Sequence, residues 1–329
     1  MDQTLKSLIY ESLTRHLIND LIIIIIDYIV SLNSEKFDRE MCHRLHYPLG
    51  IVVNEKQIFI SDRVNGQIVV YDKETDEQIY VFGKIGGIDN IVNYKSNIKS
   101  LDNVMFSHPT YLTINKNSLY VADSKNNVVQ IFKIHSNKKV SFLDCFGKQH
   151  DKKIEHDELI FPFNIVIFND DIYVSDIGYN KQCKINVYNK NKYVKTIMLN
   201  EGYIRYKVYG LSVNENFMYV SNALNNTLQI FDKQNYKLLR EFNNFNNPRC
   251  NIITHNEIFI EDYWYNRINV YDLESFKHVR KIDKTIDNSY AMTIYNNEIY
   301  VLTRRNGCSL SGPFYYCCVF ERFYDNNKN

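Results

Sequence analysis

Short apolar runs punctuated by small polar residues recur along this chain. Six of them end on a polar or acidic marker: Ile58–Asp62, Leu119–Asp123, Ile172–Asp176, Met218–Asn222, Ile258–Asp262 and Ile299–Thr303. Their spacing shortens along the chain and settles near about 40 residues, the period of a propeller or array. Around each marker the plan repeats. A Pro or Gly opens most copies (Pro48, Pro109, Pro162, Gly210, Pro248), an apolar run follows, and an Asn-, Asp- or Lys-rich turn leads into the marker run. A short loop, usually bearing Asn, then leads to a third run, such as Ile68–Tyr71 or Ile268–Tyr271, and a more polar fourth run closes the copy, such as Leu238–Phe242. Short runs separated by turn residues predict antiparallel strands. The inner runs are continuously apolar, as in strands covered on both faces. Six radial sheets of this kind predict an all-β, six-bladed β-propeller of four-stranded antiparallel blades. The sixth copy lacks a fourth run, and residues 39–46, ahead of the first copy, are expected to supply it and remove an open edge.

These motifs resemble NHL repeats. Pro, an apolar strand, Ile-Tyr-Val-x-Asp, a loop with Asn and Ile-x-Val-Tyr/Phe follow the family's order. Phe82-Gly83 leading to Phe106 and Pro109, and Phe146-Gly147 leading to Phe161-Pro162, follow its linkers. The resemblance runs from about Tyr47 to Phe323 and implies a binding propeller. The fourth and sixth copies carry Asn222 and Thr303 where the pattern has Asp.

Residues 1–36 are a different material, free of Pro and Gly, and predict a short α-helical segment ahead of the propeller at 37–329. The run Leu21–Ile26 is bracketed by Asp20 and Asp27, well short of the roughly 20 apolar residues needed to span a bilayer. Neither a basic start nor a small-residue cleavage site marks a secretory leader. Leu17–Ile29 resembles the first half of an F-box, with Ile18 in place of the family's Pro and no clear second half. That resemblance implies recruitment of a ubiquitin-ligase adaptor through Leu17, Leu21, Ile25, Tyr28 and Ile29. The other readings are a helix packed on the propeller's own surface, which its apolar composition favours, and association with a membrane surface.

Composition narrows the chemistry. A net charge of +1 over 329 residues exerts no global pull on nucleic acid. Seven irregularly spaced Cys and no secretory leader predict reduced thiols and a cytoplasmic protein. Propeller enzymes work at the central channel. The peptidyl-amidating lyase, whose repeat is similar, places zinc-binding His directly after the Pro of several blades. Here those positions hold Leu49, Thr110, Phe163 and Arg249, and zinc catalysis needs about three protein ligands. A calcium site would need inner-strand carboxylates, whereas Asn164 and Asn251 stand alone. The recurring Asp is expected to fix the turn after its strand by accepting backbone hydrogen bonds. No catalytic residue, metal or cofactor is assigned.

The copies disagree most at the loops of the fifth and sixth. Arg249, Tyr263, Trp264, Tyr265, Arg267, Arg304 and Arg305 interleave aromatic and cationic groups. That composition suits a protein hot spot, or base stacking on single-stranded RNA. A third arrangement would wedge Tyr263 and Tyr265 between blades and expose only the charges. The expected function is a non-catalytic protein-interaction scaffold, with RNA binding by the same face as the alternative and a propeller hydrolase or lyase as the second.

Overall fold

Each copy of the repeat folds as one antiparallel sheet. The computed structural model describes residues 45–147, 159–177, 183–199, 208–282, 289–296, 298–304 and 318–324. The helical segment, with Leu17, Leu21, Ile25, Tyr28 and Ile29, lies outside the described residues. So do positions 39–44 of the expected closing strand, most of the second long insert (148–158) and Arg305.

The first blade comprises β1 (Pro48–Val53), β2 (Gln57–Asp62), β3 (Gln67–Asp72) and β4 (Gln78–Phe82). An insert follows, with β5 (Lys84–Ile85), α1 (Ile91–Asn97) and β6 (Met105–Phe106). The second blade is β7 (Pro109–Asn115), β8 (Ser118–Asp123), β9 (Val128–Ile134) and β10 (Val140–Phe146). The third is β11 (Pro162–Phe168), β12 (Asp171–Ile177), β13 (Cys183–Asn189) and β14 (Lys192–Met198). The fourth is β15 (Val208–Val213), β16 (Phe217–Asn222), β17 (Thr227–Asp232) and β18 (Leu238–Phe242). The fifth is β19 (Pro248–Ile253), β20 (Glu257–Asp262), β21 (Arg267–Asp272) and β22 (His278–Ile282). The sixth copy forms β23 (Ser289–Tyr295), β24 (Glu298–Arg304) and β25 (Cys318–Tyr324).

The expectation of six four-stranded blades is therefore corrected to five. The sixth copy gives only a three-stranded sheet, in the order β23-β24-β25, among the described residues. Its sequence has no fourth apolar run, and residues 45–47 ahead of β1 are not a strand.

Neighbouring sheets meet through their first strands. β1 packs on β7, β7 on β11, β11 on β15 and β15 on β19, and β23 bridges β19 and β1. The five blades and the three-stranded sheet each carry a bulge between the first two strands. It falls directly after the residue opposite the marker: Pro48 opposite Asp62, Pro109 opposite Asp123, Pro162 opposite Asp176, Val208 opposite Asn222, Pro248 opposite Asp262 and Ser289 opposite Thr303. Proline fits the start of such a strand because it has no N–H to give the ladder. Burial falls outward across each blade. Every residue of β2 is buried, whereas β18 is almost wholly exposed.

Two glycines set how closely the first strands approach. A Cβ on Gly50 would stand 2.4 Å from the Thr110 carbonyl oxygen, and one on Gly210 2.3 Å from that of Arg249. Both obstacles are backbone and cannot rotate away. Gly50→Ala is expected to cost about 1–3 kcal/mol, the usual range for overpacking. Urea unfolding reads it, and a variant as stable as wild type would show that the strands can part freely.

Candidate functional site

The ends of the ring differ. At one end, here called upper, the loop after three of the markers bonds to the loop leading into the same blade: Val64 N–H to His46 O at 3.0 Å, Ser124 N–H to His108 O at 3.2 Å, and Trp264 N–H to Asn246 O at 3.2 Å. At the lower end the two turns of a blade pair with each other, as in Lys73 N–H to Lys56 O at 3.0 Å and Leu273 N–H to Asn256 O at 2.7 Å.

The marker acids lock the upper loops. Asp62 accepts the His46 N–H at 2.8 Å, Asp123 the Ser107 N–H at 2.7 Å and Asp262 the Asn246 N–H at 2.6 Å, each from a residue 16 positions earlier. Asp176 accepts from Ile160 and Phe161. The second carboxylate oxygen serves the following loop and strand. Asn126 Nδ2 and Gln130 Nε2 donate to Asp123 at 2.6 and 2.9 Å. Asn65 donates to Asp62 at 2.8 Å. The sequence expectation placed the Asp's partners in the loop that follows; the structure adds the loop before the blade, which the carboxylate staples to the marker strand. Burial pushes all four carboxyls up, Asp123 to about 7.

On this scaffold the fifth blade presents its aromatic residues. Tyr263–Tyr265 form a 3-10 turn that ends at Asn266 in the left-handed region, with φ 48°. Such a conformation is commoner for Asn than for most other non-Gly residues. Trp264 is 62% exposed and Tyr265 54%. Tyr263 is half-buried, edge-on to Trp264 with centroids 5.0 Å apart. The wedge arrangement therefore holds for Tyr263 in part and not for Tyr265. The Arg249 guanidinium lies 3.3 Å above the Tyr263 ring and 5.4 Å from the Tyr209 ring of the fourth blade. Arg267 is committed differently: its Nη2 is 3.1 Å from Asp262 Oδ2, and its guanidinium covers Tyr265 at 4.6 Å. Arg304 is the last residue of β24.

The same face carries two apolar residues that sequence reading missed. Val64 and Leu224, like Trp264, each stand two positions after a marker, and all three are exposed. Aligning the copies on the marker would have found them. The fourth blade's loop is tied to the fifth by Asn247, whose N–H donates to Asn226 Oδ1 at 2.8 Å. Among the described residues, the turns at the lower end present no exposed large hydrophobic side chain.

Below this face the axis is filled. Leu49, Tyr111, Phe163 and Cys250, all on first strands, meet in one buried cluster. Tyr111 meets Phe163 at a tilt of 49° with centroids 5.4 Å apart, and Phe163 meets Tyr209 edge-on at 4.9 Å. Glu261, buried where the other blades have Ser or Ala, accepts Ser289 Oγ–H at 2.5 Å and Cys250 N–H at 3.2 Å. Burial raises it to about 6, against the pull of Arg249. Among the described residues, no three His, Cys, Asp or Glu side chains converge as metal ligands. The Tyr111 hydroxyl is buried and has no hydrogen-bond partner there. A buried hydroxyl without a partner costs stability, so Tyr111→Phe is expected to leave stability unchanged or raise it by about 1 kcal/mol. A loss of that size on thermal unfolding would show that the hydroxyl is bonded.

No family model matches the chain, and no curated protein matches it. Among solved structures it is similar to the WD40 β-propeller domain of Doa1, at 10% identity, TM-score 0.54, over 79% of this chain and 77% of that one. It is also similar to a chain of the nidogen/laminin complex, at 12% identity, TM-score 0.53, over 73% of this chain and 81% of that one. The chain is a β-propeller. The assignment to NHL repeats is corrected: the likenesses found are distant and carry the propeller fold alone. The motif behind it, an apolar strand ending in Asp, is what the staple requires of a blade here. Among the described residues, no helix is long and apolar enough to cross a membrane.

Proposed function

We propose that this propeller is a non-catalytic scaffold that binds a protein partner on its upper face, centred on Trp264 and Tyr265. The observation that carries this reading is rigid apolar exposure. Trp264, Tyr265, Leu224 and Val64 are exposed on loops whose backbone is fixed by hydrogen bonds to neighbouring loops. An aromatic side chain held this way loses little freedom on binding, and Trp, Tyr and Arg dominate interface hot spots. Behind this face the axis is filled by Leu49, Tyr111, Phe163 and Cys250, and the open cavity of about 610 Å³ lies at the lower end instead, lined by Asn54, Lys56, His135 and Tyr295 among others. The commitment of Arg267 to Asp262 removes one cation from the RNA reading. Buried, unbridged Cys145, Cys183 and Cys250 support a reducing, cytoplasmic setting. Recruitment of a ubiquitin-ligase adaptor rests on the sequence resemblance of Leu17–Ile29 and is tested by pull-down with the adaptor against a chain lacking residues 1–36.

The face itself is tested by Trp264→Ala. A partner retained by wild type is expected to bind at least roughly 30-fold more weakly, a hot-spot loss of about 2 kcal/mol, with unfolding unchanged. The lower-face control Glu55→Lys with Glu274→Lys should bind normally. Equal retention by wild type and Trp264→Ala, or loss only in the control, would reject the face.

A further inference from the structure

The guanidinium of Arg249 is held but not neutralised. Its Nε–H donates to Asn247 Oδ1 at 3.1 Å, and its plane is flanked by Tyr263 and Tyr209. Among the described residues, no carboxylate lies within 4.0 Å of it. Glu261 lies below, near enough for Arg249 to lower its pKa, but its oxygens are taken by Ser289 and the Cys250 N–H. Arg249 is only half-buried, at the rim of the axis beside the exposed Trp264.

Each part of this arrangement favours an external acid. Stacking fixes the plane of the guanidinium, so less side-chain freedom is lost when a partner docks. The terminal N–H groups form a fork that matches a carboxylate in bidentate fashion. Other cations stand on the loops of the first two blades. Burial holds His108 below its usual range, and Lys125 and Arg63, on the corresponding loops of the second and first blades, add to it. The acids of the marker strands, Asp62, Asp123, Asp176, Asp262 and Glu261, are all buried, and the exposed Asp89 and Asp102 belong to the insert ahead of the second blade.

We propose that Arg249 is the specificity anchor of the upper face, gripping a carboxylate side chain of an acidic protein segment whose neighbouring apolar residue packs on Trp264. This rests on the reading of that face as a protein-binding surface. The partner class is thus an acidic, partly apolar peptide segment.

Trp264 is the only Trp in the chain and reports directly. The probe is acetylated, amidated hexaglutamate, titrated into the full chain at fixed ionic strength and compared with hexaglutamine. The expected result is a saturable change in Trp fluorescence with hexaglutamate alone. Arg249→Lys, which keeps the charge and loses the fork, should weaken it about tenfold. Arg249→Gln should abolish it, and Lys277→Gln, on an exposed lower turn of the same blade, should change it less than about twofold. Matching melting curves for Arg249→Lys and wild type secure the comparison. No saturable response, equal response to hexaglutamine, or full affinity in Arg249→Lys would overturn the proposal. Tighter, Arg249-dependent binding of a uridine hexanucleotide would also overturn it, in favour of phosphate. If Trp264→Ala loses a captured partner that both Arg249 variants bind normally, the face stands and the carboxylate anchor falls.

Discussion

Asp123→Ala is expected to destabilise the protein by roughly 3–5 kcal/mol, the range for removing one partner of a buried, charged hydrogen-bonded group. The carboxylate is fully buried and receives the Ser107 N–H, Asn126 Nδ2 and Gln130 Nε2. Alanine would strand all three donors. Two neighbours would loosen with them. The Asn126 carbonyl oxygen of the side chain accepts the Ile88 N–H at 3.0 Å, and Gln130 accepts from the Tyr94 hydroxyl at 3.0 Å. These bonds anchor the insert between the first and second blades. Asp123→Asn keeps an acceptor for Ser107 but turns an amide donor toward other donors, so its loss should be nearly as large. Urea unfolding monitored by circular dichroism measures both. A cost below about 1 kcal/mol for Asp123→Ala would mean that the staple does not hold the blade together.

Stability is also expected to fall as pH rises from about 5 to 8. Asp123, Glu261, Asp62, Asp176 and Asp262 all have folded-state pKa values raised above their ordinary ones, chiefly by burial. Such a group binds its proton more tightly in the folded chain. Its contribution is therefore fully present below the unfolded value and lost as pH rises through the folded value. For Asp123 the window runs from 3.8 to about 7. At about 1.4 kcal/mol per pH unit this is on the order of 4 kcal/mol. His108, held low by burial, Lys125 and Arg63, runs the other way. Its contribution is lost as pH falls below its unfolded value of about 6.5, which offsets part of the gain at the acid end. The half-buried turn carboxylates held low by their hydrogen bonds, Asp72 and Asp272, titrate below the window. The urea midpoint should be higher at pH 5 than at pH 8, with a flatter profile in Asp123→Ala. A midpoint that rises with pH would contradict this account.

The repeat was legible because strand and turn chemistry are local. Pro48, Pro109, Pro162 and Pro248 each open a first strand, and Asp62, Asp123 and Asp262 each end a second one. The number of complete blades was less legible. Six markers imply six copies, but a blade also needs a fourth strand, and the last copy has none of its own. Family identity was over-read for a related reason. An apolar strand ending in Asp is demanded by a backbone staple, so its recurrence reports blade geometry more than descent. The aromatic cluster at Tyr263–Tyr265 stood out by composition. What sequence could not show was the different fate of two arginines, Arg267 bonded to its own blade's Asp262 and Arg249 stacked and left with its fork open. Those fates depend on Tyr209 and Tyr263, 54 residues apart, coming to one guanidinium. The buried Glu261 was hidden in the same way, since its Ser289 partner belongs to the next sheet.

The most direct test of the upper face is site-specific photocrosslinking in native cells. A benzoylphenylalanine is placed singly at the upper positions Trp264 and Leu224, and at the lower positions Glu55 and Glu274. The account predicts one discrete protein adduct from both upper positions and none from the lower pair. Adducts from the lower positions only, or RNA rather than protein captured from the upper ones, would contradict it.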